Sequence, residues 1–452
     1  MKASAEGNKV QWRQTSAKHR LKFEELLKIA QKEPSAVTII GTYKVCFRPE
    51  FVIGYGSSGT VVYIGLSDDG IEVAVKSIPM HICEDLGENE KEILNCPSVT
   101  KESHIVNYRF YTDSVNSLHG YLVLDLHEES LKDYVLERSE EELTSDGVRI
   151  IREVLYGLKA LHCGKEEILH RDLKPANILV SLRGEMVLSD FGISRKLKKG
   201  QTTHKSGEKG TDDWIAVESL LSDEEDDDDS SNEQAEKQVR YKKQSDIQVT
   251  GMLLFYILSK GGHPYGKRVY RKGNLFEGKP VNLGKLNDLV AKDLIGWMLR
   301  HDPKDRPSVQ QCLQHPYLLT MDEQFNLIRR VGNEREIKTN DVSSVVVKEL
   351  NADPSLPKPS WKQKIDPEVL RYASSHRRHR PYSDSMTDLL RFIRNTAEHW
   401  HDKTPPTIVQ AKVGKPKEYF LKLFPTLPVV LHKIIRNESD WNQREQLKEF
   451  FS

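Results

Sequence analysis

The sequence predicts an α+β protein in which a strand-rich region is followed by a mixed region and then by a small all-α domain. Two observations predict this order. β-Branched and alternating residues begin at Phe51, whereas after residue 320 helical periods dominate and prolines at 354, 357, 359, 367, 405 and 406 separate them. The 452 residues exceed what one compact core usually holds, so two or three domains are expected.

The composition argues against several classes of protein. Lys plus Arg and Asp plus Glu both number 67, so the net charge gives no indication of a DNA partner. The five cysteines, at positions 46, 83, 96, 163 and 312, contain no Cys-x-x-Cys pair, which argues against a disulfide framework or a zinc site and for a reducing compartment. The N-terminus lacks a signal-peptide pattern, and the longest apolar run, Val249 to Leu258, is far shorter than the ~20 residues that span a bilayer. We therefore expect a cytoplasmic protein without a membrane span.

Residues 1 to 43 are polar and contain one helical pattern of apolar residues between Leu21 and Ile29. This pattern predicts a mobile extension with one amphipathic helix. The helix either docks on a partner or packs on the domain that follows it.

A glycine-rich turn follows the first predicted strand. A lone Gly-x-Gly-x-x-Gly also occurs in dinucleotide-binding folds. Here a strand rather than a helix comes next, and a Val-Ala-Val-Lys sequence ends about seventeen residues later, an order typical of a loop that closes over nucleotide phosphates while the lysine reaches the α and β groups. The predicted nucleotide-binding residues of this region are Ile53, Gly54, Gly56, Gly59, Val61 and Lys76.

The stretch from Ile168 to Val180 encloses five polar or ionisable side chains between two apolar, strand-like ends, which indicates a loop held rigid for chemistry. By their spacing, Asp172 can accept a proton from a hydroxyl and Lys174 can neutralise charge on a transferring phosphoryl group. Asn177 can hold Mg²⁺ through its amide oxygen, and Asp190, which ends the next predicted strand, suits the same ion.

These motifs resemble those of protein kinases. The resemblance implies that Glu90, rather than Glu88 or Glu92, pairs with Lys76. It also implies that Asp125 to His127 form the hinge whose backbone meets adenine, and that ATP or ADP and Mg²⁺ are the ligands.

Residues 193 to 215 have the composition of an activation segment, with many lysines and with candidate phosphorylation sites at Ser194, Thr202, Thr203, Ser206 and Thr211. The sequence Trp214-Ile-Ala-Val-Glu218 resembles the motif that closes such a segment, but Val217 stands where kinases usually have proline. The acidic run from Asp223 to Asp229 predicts a disordered insert over residues 222–238.

Residues 321–452 contain 23 Lys and Arg against 18 Asp and Glu, and Arg371 to Arg380 form a dense cationic cluster that suits a phosphate backbone. The pattern from Ser383 to Trp400 predicts an amphipathic helix with Asp388, Asn395 and His399 together on its polar face. Periodicity alone favours the simpler interpretation, a helix whose polar face is solvated.

The side chains on and beside the polar face of this helix could also carry out chemistry on a phosphate. A histidine can transfer protons at neutral pH, and Arg394, at the edge of the face, can stabilise a pentacoordinate phosphate. Tyr382 can supply a second proton-transfer or orienting group. Together these groups suit metal-free RNA transesterification.

The kinase-like region joined to this tail resembles the kinase-extension nuclease family, and the tail is most similar to the ribonuclease L branch. The tail motifs that carry the resemblance are Val331–Thr339, Trp361–Ile365, Asp388–Asn395, His399 and Tyr419–Pro425. The resemblance implies back-to-back homodimers promoted by nucleotide, with RNA cut by attack of a 2′-hydroxyl. It assigns nuclease roles to Tyr382, Arg394, Asn395 and His399, with Asp388 in support.

We therefore predict an N-terminal extension over 1–43, a kinase domain over 44–319 and a nuclease domain over 320–452, with both enzymatic activities. Two alternatives stay open. In one, the tail is only a dimerisation module of a kinase. In the other, the chain is a nucleotide-sensing scaffold that transfers no phosphate.

Overall fold

A computed structural model describes residues 12–56, 59–113, 118–197, 204–206, 213–220, 239–357, 359–375, 381–400 and 404–452. The chain divides into two compact units, residues 1–285 with 298–309 and residues 286–297 with 310–452. The predicted boundary between residues 319 and 320 stays a prediction. Thr202, Thr203, Thr211, the acidic insert 222–238 and residues 376–380 of the cationic cluster lie outside the described residues.

The first unit begins with helix α1 (Arg20–Lys32) and an antiparallel sheet. The sheet has the order β1-β2-β4-β5-β7-β6, with β3 paired to β4. Its strands are β1 (Thr38–Ile40), β2 (Tyr43–Val45), β3 (Val52–Tyr55), β4 (Val61–Ser67), β5 (Glu72–Pro79), β6 (Tyr108–Thr112) and β7 (His119–Asp125). The short α2 (Met80–Ile82) and α3 (Glu88–Leu94) follow β5. We call this half of the unit the N-lobe.

Helix α1 packs on the N-lobe. Its Phe23, Leu26 and Ile29 are buried at the three- and four-residue spacing of one helix face. They share a core with residues of β4 and β5 and with Leu126, which follows β7. The structure therefore shows the second of the two predicted arrangements, packing on the chain's own domain.

The second half of the first unit, the C-lobe, is mainly helical. Helix α6 is buried on nearly all sides, which explains the long apolar run from Val249 to Leu258. The elements of the C-lobe are β8 (His127–Ser130), α4 (Leu131–Glu137), α5 (Glu140–His162), β9 (Ile168–Leu169), β10 (Ile178–Ser181), β11 (Met186–Leu188), β12 (Arg195–Lys196), β13 (His204–Ser206), β14 (Val239–Tyr241), α6 (Lys243–Leu258) and α7 (Arg268–Phe276). Two further helices, α8 (Leu289–Met298) and α9 (Val309–Leu313), belong almost entirely to the second unit.

The second unit is helical throughout its described residues. Its helices after α9 are α10 (Met321–Asn333), α11 (Arg335–Thr339), α12 (Val345–Ala352), α13 (Pro367–Ser375), α14 (Met386–Glu398), α15 (Thr407–Val413), α16 (Pro416–Leu423), α17 (Leu427–Ile435) and α18 (Ser439–Asn442). Trp361, Phe392 and Phe420 are fully buried at the centre of its core. The predicted α+β class with an all-α tail is confirmed.

Two further findings concern the whole chain. None of the five cysteines, all of which are described, forms a disulfide. Among the described helices, none combines the length and the apolar character that crossing a bilayer requires.

Candidate active sites

Lys76 on β5 lies between two carboxylates. Its Nζ is 2.7 Å from Glu90 Oε2 on α3 and 2.8 Å from Asp190 Oδ1, which follows β11. Burial by itself would lower the pKa of Lys76, but the charges of these two carboxylates raise that pKa above its usual value. Lys76 is therefore a fixed cation at neutral pH.

Glu90, not its neighbours, makes this contact. Glu88 pairs with Lys91 and Glu92 pairs with Lys196, both nearer the surface. Glu90 is 1% exposed, because the helix turns that side toward β5. Its second oxygen accepts the backbone N–H of Phe191 at 3.3 Å, so it holds the lysine and the segment after β11 together.

Two glycines of the nucleotide loop are required by local geometry. A Cβ on Gly56 would lie 2.1 Å from Thr60 Oγ1, and Gly59 has a φ of +79°, where other residues are strained. Gly54 has ordinary contacts only, with Val62 Cβ at 3.8 Å. Ile53 and Val61 lie on the strands at either side, β3 and β4, with part-buried side chains. Of these three glycines, Gly56 and Gly59 are therefore the ones at which a side chain would clash or strain the backbone.

The stretch from Ile168 to Val180 is a loop between β9 and β10, as predicted. Asp172 accepts a hydrogen bond from Lys174 Nζ at 2.7 Å. The Asn177 amide donates to the Asp172 carbonyl at 2.8 Å and to its Oδ2 at 2.9 Å. The loop thus brings together the three side chains that the sequence singled out.

Asp246, near the start of α6, holds this loop in place through buried hydrogen bonds. Its carboxylate accepts the backbone N–H groups of His170 and Arg171, each at 3.0 Å, and contacts His162 Nε2 at 2.9 Å. Arg171 and Asp190 both adopt left-handed φ values, +70° and +65°. Non-glycine residues pay for such φ values with strain of order 1–3 kcal/mol, which persists where the surroundings over-determine it, as at functional sites.

The donor groups fit Mg²⁺ by their chemistry. Because Asn177 Nδ2 donates to Asp172, its amide oxygen is the atom of that side chain that could bind a cation. The pairing of Ile178 with Leu188 places Asn177 and Asp190 at the same end of two neighbouring strands. Mg²⁺ in phosphoryl-transfer sites takes one or two such protein oxygens and completes its shell with phosphate and water. Accordingly, no group of three or more His, Cys, Asp or Glu arranged for a metal occurs among the described residues.

The hinge side chains face away from this site. Asp125 binds Arg109 and accepts from Asn107 Nδ2 at 3.2 Å. Asp125 and His127 line a separate cavity of about 610 Å³ behind the hinge. Their side chains are not brought together with Lys76, so only their backbone is a candidate for contact with adenine.

The space at the catalytic groups is small. A cavity of about 10 Å³ is lined by Lys76, Asp172, Asp190, Leu86 and Gly192, among others. That volume holds about one water molecule. Lys76 of the N-lobe and Asp172 of the C-lobe thus face the same space between the lobes.

The presence of valine rather than proline at position 217 has a structural reason. Its backbone N–H donates to Gln248 Oε1 at 2.8 Å in the buried interior, a bond that proline cannot form. The next residue, Glu218, forms a two-point ion pair with Arg306, both oxygens at 2.9 Å.

Among the predicted phosphorylation sites, Ser194 is fully buried and its hydroxyl donates to the His170 carbonyl at 2.9 Å. The prediction is therefore wrong for Ser194.

The tail contains a second polar network around helix α14. Arg394 Nη1 donates to Asn395 Oδ1 at 2.6 Å, and Asn395 Nδ2 donates to the Tyr382 hydroxyl at 3.3 Å. Arg394 Nε donates to Asn333 Oδ1 on α10 at 2.6 Å. All four residues are partly accessible to solvent. The structure therefore brings together three predicted nuclease residues and adds a fourth.

His399 caps the C-terminus of α14 and is exposed. Its backbone N–H bonds to the Asn395 carbonyl at 3.1 Å, one helical turn earlier, so the two side chains are neighbours on the surface. The imidazole is thus open to solvent beside the Arg394 network.

The prediction that Asp388 shares this exposed face is wrong. Asp388 is fully buried, where its Oδ2 accepts from the Ser383 N–H and hydroxyl at 2.6 Å each and its Oδ1 pairs with Arg391 at 2.8 Å. It lies eleven residues before His399, about 16 Å along the helix axis. The helical periodicity predicted one buried face for α14, but the helix is enclosed on more than one side, with Phe392 also buried.

Sequence reasoning missed two residues that orient the network. Asn333 holds Arg394, and the Arg391 guanidinium lies 4.8 Å from the centre of the Tyr382 ring. The only available signal for Asn333 was its place in the Val331–Thr339 motif. Gly332 explains the close approach of the helices, since a Cβ there would lie 3.0 Å from Arg394 Cβ.

The two-lobed first unit, with its lysine between two carboxylates and its rigid Asp172 loop, defines a protein kinase, and the helical second unit is a nuclease-like extension. Comparison with known families gives the same division. The family described as protein kinase domain matches residues 47–318, and the family described as ribonuclease 2-5A matches residues 324–451. The chain therefore belongs to the kinase-extension nuclease family.

Several relatives are similar over most of this chain. They include serine/threonine-protein kinase/endoribonuclease ire-1 of Caenorhabditis elegans, 30% identical over 408 residues, which covers 86% of this chain and 39% of the relative. Serine/threonine-protein kinase/endoribonuclease IRE2 of Homo sapiens is 31% identical over 424 residues, or 90% and 42% of the two chains. The sensor for unfolded proteins in the ER ire1 of Schizosaccharomyces pombe is 27% identical over 413 residues, or 85% and 37%. The chain thus spans about two fifths of the length of these curated relatives.

Proposed function

We propose that the chain is a dual enzyme, a Ser/Thr protein kinase that uses ATP and Mg²⁺ and a metal-independent endoribonuclease that nucleotide-promoted dimerisation activates. One observation carries this proposal. The same chain holds an ordered Lys76–Glu90–Asp190 cluster and, separately, an Arg394 network beside an exposed His399. The C. elegans and human relatives are both named as serine/threonine-protein kinase/endoribonucleases, which joins the same two activities.

In the kinase half, Lys76 binds the α and β phosphates of ATP while its two carboxylate partners keep its Nζ in place. Asp172 accepts the proton of the substrate hydroxyl as that oxygen bonds to the γ-phosphorus and the bond to the ADP oxygen breaks. Lys174 offsets the negative charge of the transferring group. Asn177 and Asp190 are the residues that would hold Mg²⁺, which when bound would supply further charge neutralisation.

In the nuclease half, a ribose 2′-hydroxyl oxygen attacks the adjacent phosphorus and the bond to the 5′ oxygen breaks, which leaves a 2′,3′-cyclic phosphate. His399 is exposed and so able to exchange a proton with the reacting oxygens. Arg394 stabilises the pentacoordinate phosphate, and Asn395 holds the Tyr382 hydroxyl in position as an orienting group. Asp388 supports this set from the interior through Arg391.

The test of the nuclease uses the purified chain with ATP or ADP and a stem-loop RNA in the presence of a metal chelator. Cleavage is expected to depend on nucleotide and to be lost in His399→Ala. Cleavage that persists in that variant contradicts the nuclease assignment. Sedimentation with and without nucleotide, measured in parallel, is expected to show a shift from monomer to dimer when nucleotide is present.

The test of the kinase is transfer of label from γ-labelled ATP to the chain itself. The unchanged chain is expected to become labelled and Asp172→Asn is not. Equal labelling of the two contradicts the proposed role of Asp172.

We also propose that the protein is cytoplasmic. This is supported by its cysteines, none of which forms a disulfide.

A second candidate function is a nucleotide sensor that transfers no phosphate, and the observation that favours it is Val217, which stands where kinases usually have proline. The two functions differ in one measurement. A sensor binds ADP and activates RNA cleavage but gives no label transfer, whereas the dual enzyme does both.

A further inference from the structure

Residues 12–19, which we call the strap, precede α1 and bond to both lobes of the first unit. On the N-lobe, the acceptor is the side chain of Glu72 at the start of β5, a residue that is 3% exposed. It accepts from the Trp12 indole N–H at 2.6 Å, from the Ser16 backbone N–H at 2.7 Å and from the Thr15 hydroxyl. One buried carboxylate is therefore satisfied by three strap donors.

On the C-lobe, the acceptor is Glu128 in β8, directly after the hinge. It accepts from the Ser16 hydroxyl and from the backbone N–H groups of Ala17 and Lys18, each at 2.9 Å. Although burial raises it, these hydrogen bonds lower the pKa of Glu128, so the group is ionised when the strap is bound. Ser16 is 1% exposed and bonds to both lobes at once.

The strap also contacts the hinge itself. His19 Nε2 lies 3.2 Å from the His127 carbonyl oxygen. Trp12 packs on Phe23 of α1, with ring centroids 6.0 Å apart, and α1 shares its core with Leu126. The strap and α1 thus contact the hinge residues Leu126 and His127 directly.

We propose that the strap is a brace that restrains opening of the nucleotide cleft, with Ser16, Glu72 and Glu128 as positioning residues. The proposal rests on the proposed nucleotide binding. Lys76 of the N-lobe and Asp172 of the C-lobe line the same space, so we expect nucleotide to enter and leave as the lobes separate. Separation breaks the bonds of Ser16 on one side, and a single hydrogen bond to a charged group corresponds to roughly a tenfold to hundredfold change in an equilibrium.

The brace predicts a kinetic effect rather than a loss of binding. Both entry and release of nucleotide accelerate when the brace is broken, so the rate constants change more than the dissociation constant does. Ser16→Glu places a third carboxylate between Glu72 and Glu128 and repels the strap from both. Ser35→Glu is the matched control, because Ser35 is an exposed residue of the short turn after α1 and makes the same chemical change.

The experiment is stopped-flow binding and release of a fluorescent ADP analogue by the full chain. Ser16→Glu is expected to accelerate both steps about tenfold, and Ser35→Glu to leave them unchanged. Glu128→Gln, which keeps the size of the side chain, tests the same brace from the C-lobe if Ser16→Glu fails to fold. Rate constants equal to those of the unchanged chain in both variants overturn the brace but leave the proposed function intact.

Failure of the proposed nucleotide binding can be distinguished from failure of the brace, because the unchanged chain then gives no ADP-binding signal. Amide hydrogen exchange without nucleotide adds an independent readout. The N–H groups of Ser16, Ala17 and Lys18 are expected to exchange slowly and to lose protection in Ser16→Glu. Fast exchange of these amides in the unchanged chain overturns the brace.

Discussion

Replacing Asn333 by alanine tests whether a residue 61 positions from Arg394 in the sequence controls RNA cleavage. Asn333 Oδ1 accepts the Arg394 Nε–H at 2.6 Å, and Arg394 retains its bond to Asn395 when Asn333 is removed. A hydrogen bond to a charged group contributes roughly 1.5–3 kcal/mol. If that amount is lost in the transition state, the cleavage rate falls about tenfold to a hundredfold.

The assay is the initial rate of cleavage of a fluorescent stem-loop RNA, with a thermal unfolding scan of each variant. Asn333→Asp, which keeps an oxygen acceptor for the guanidinium, is the matched control and is expected to retain most activity. The double variant with Arg394→Ala separates positioning from an independent role. If Asn333 acts through Arg394, the double variant is no slower than Arg394→Ala alone. Additive losses, or a wild-type rate in Asn333→Ala, would refute the reasoning.

The remaining predictions concern stability. Val217→Pro removes the N–H that Gln248 Oε1 accepts at 2.8 Å, so the free energy of unfolding in urea is expected to fall by about 1–3 kcal/mol; an unchanged midpoint contradicts this. Burial lowers the pKa of His263 to about 4, so the unfolded chain takes up the proton first, and about 3 kcal/mol of stability is lost as the pH falls from about 6.5 to 4. His263→Gln is expected to reduce that slope, measured by urea unfolding at several pH values. Asp388→Ala leaves the buried Arg391 without its carboxylate and is expected to cost about 3–5 kcal/mol in thermal unfolding, whereas a normal melting temperature with lost RNA cleavage would indicate a catalytic role instead.

Several features of the site follow from the sequence because they depend on short-range spacing. Asp172, Lys174 and Asn177 lie within six residues, so a single loop conformation brings them together whatever the rest of the fold does. Asp190 follows the strand that pairs with the strand after Asn177, and hairpin pairing is likewise local. The apolar run in α6 predicted a buried helix for the same reason.

Other features required the folded chain, because they depend on which surfaces pack together. Spacing alone does not distinguish the three glutamates of α3; the family resemblance indicated Glu90, and the packing of α3 against β5 is the physical reason that Glu90 pairs with Lys76. Asp388 has the spacing of an exposed residue, yet neighbours on several sides of α14 bury it and give it a structural partner in Arg391.

Contacts between distant segments could not be predicted from spacing in the sequence. The strap reaches Glu72 and Glu128 across 56 to 112 positions, and Asn333 reaches Arg394 across 61. The sequence by itself therefore determined the α+β class, the catalytic loop and the identity of most reactive groups, since these depend on spacing within a few residues. The tertiary structure decided which of those groups meet and which residues hold them, because contacts between distant segments depend on how whole elements pack.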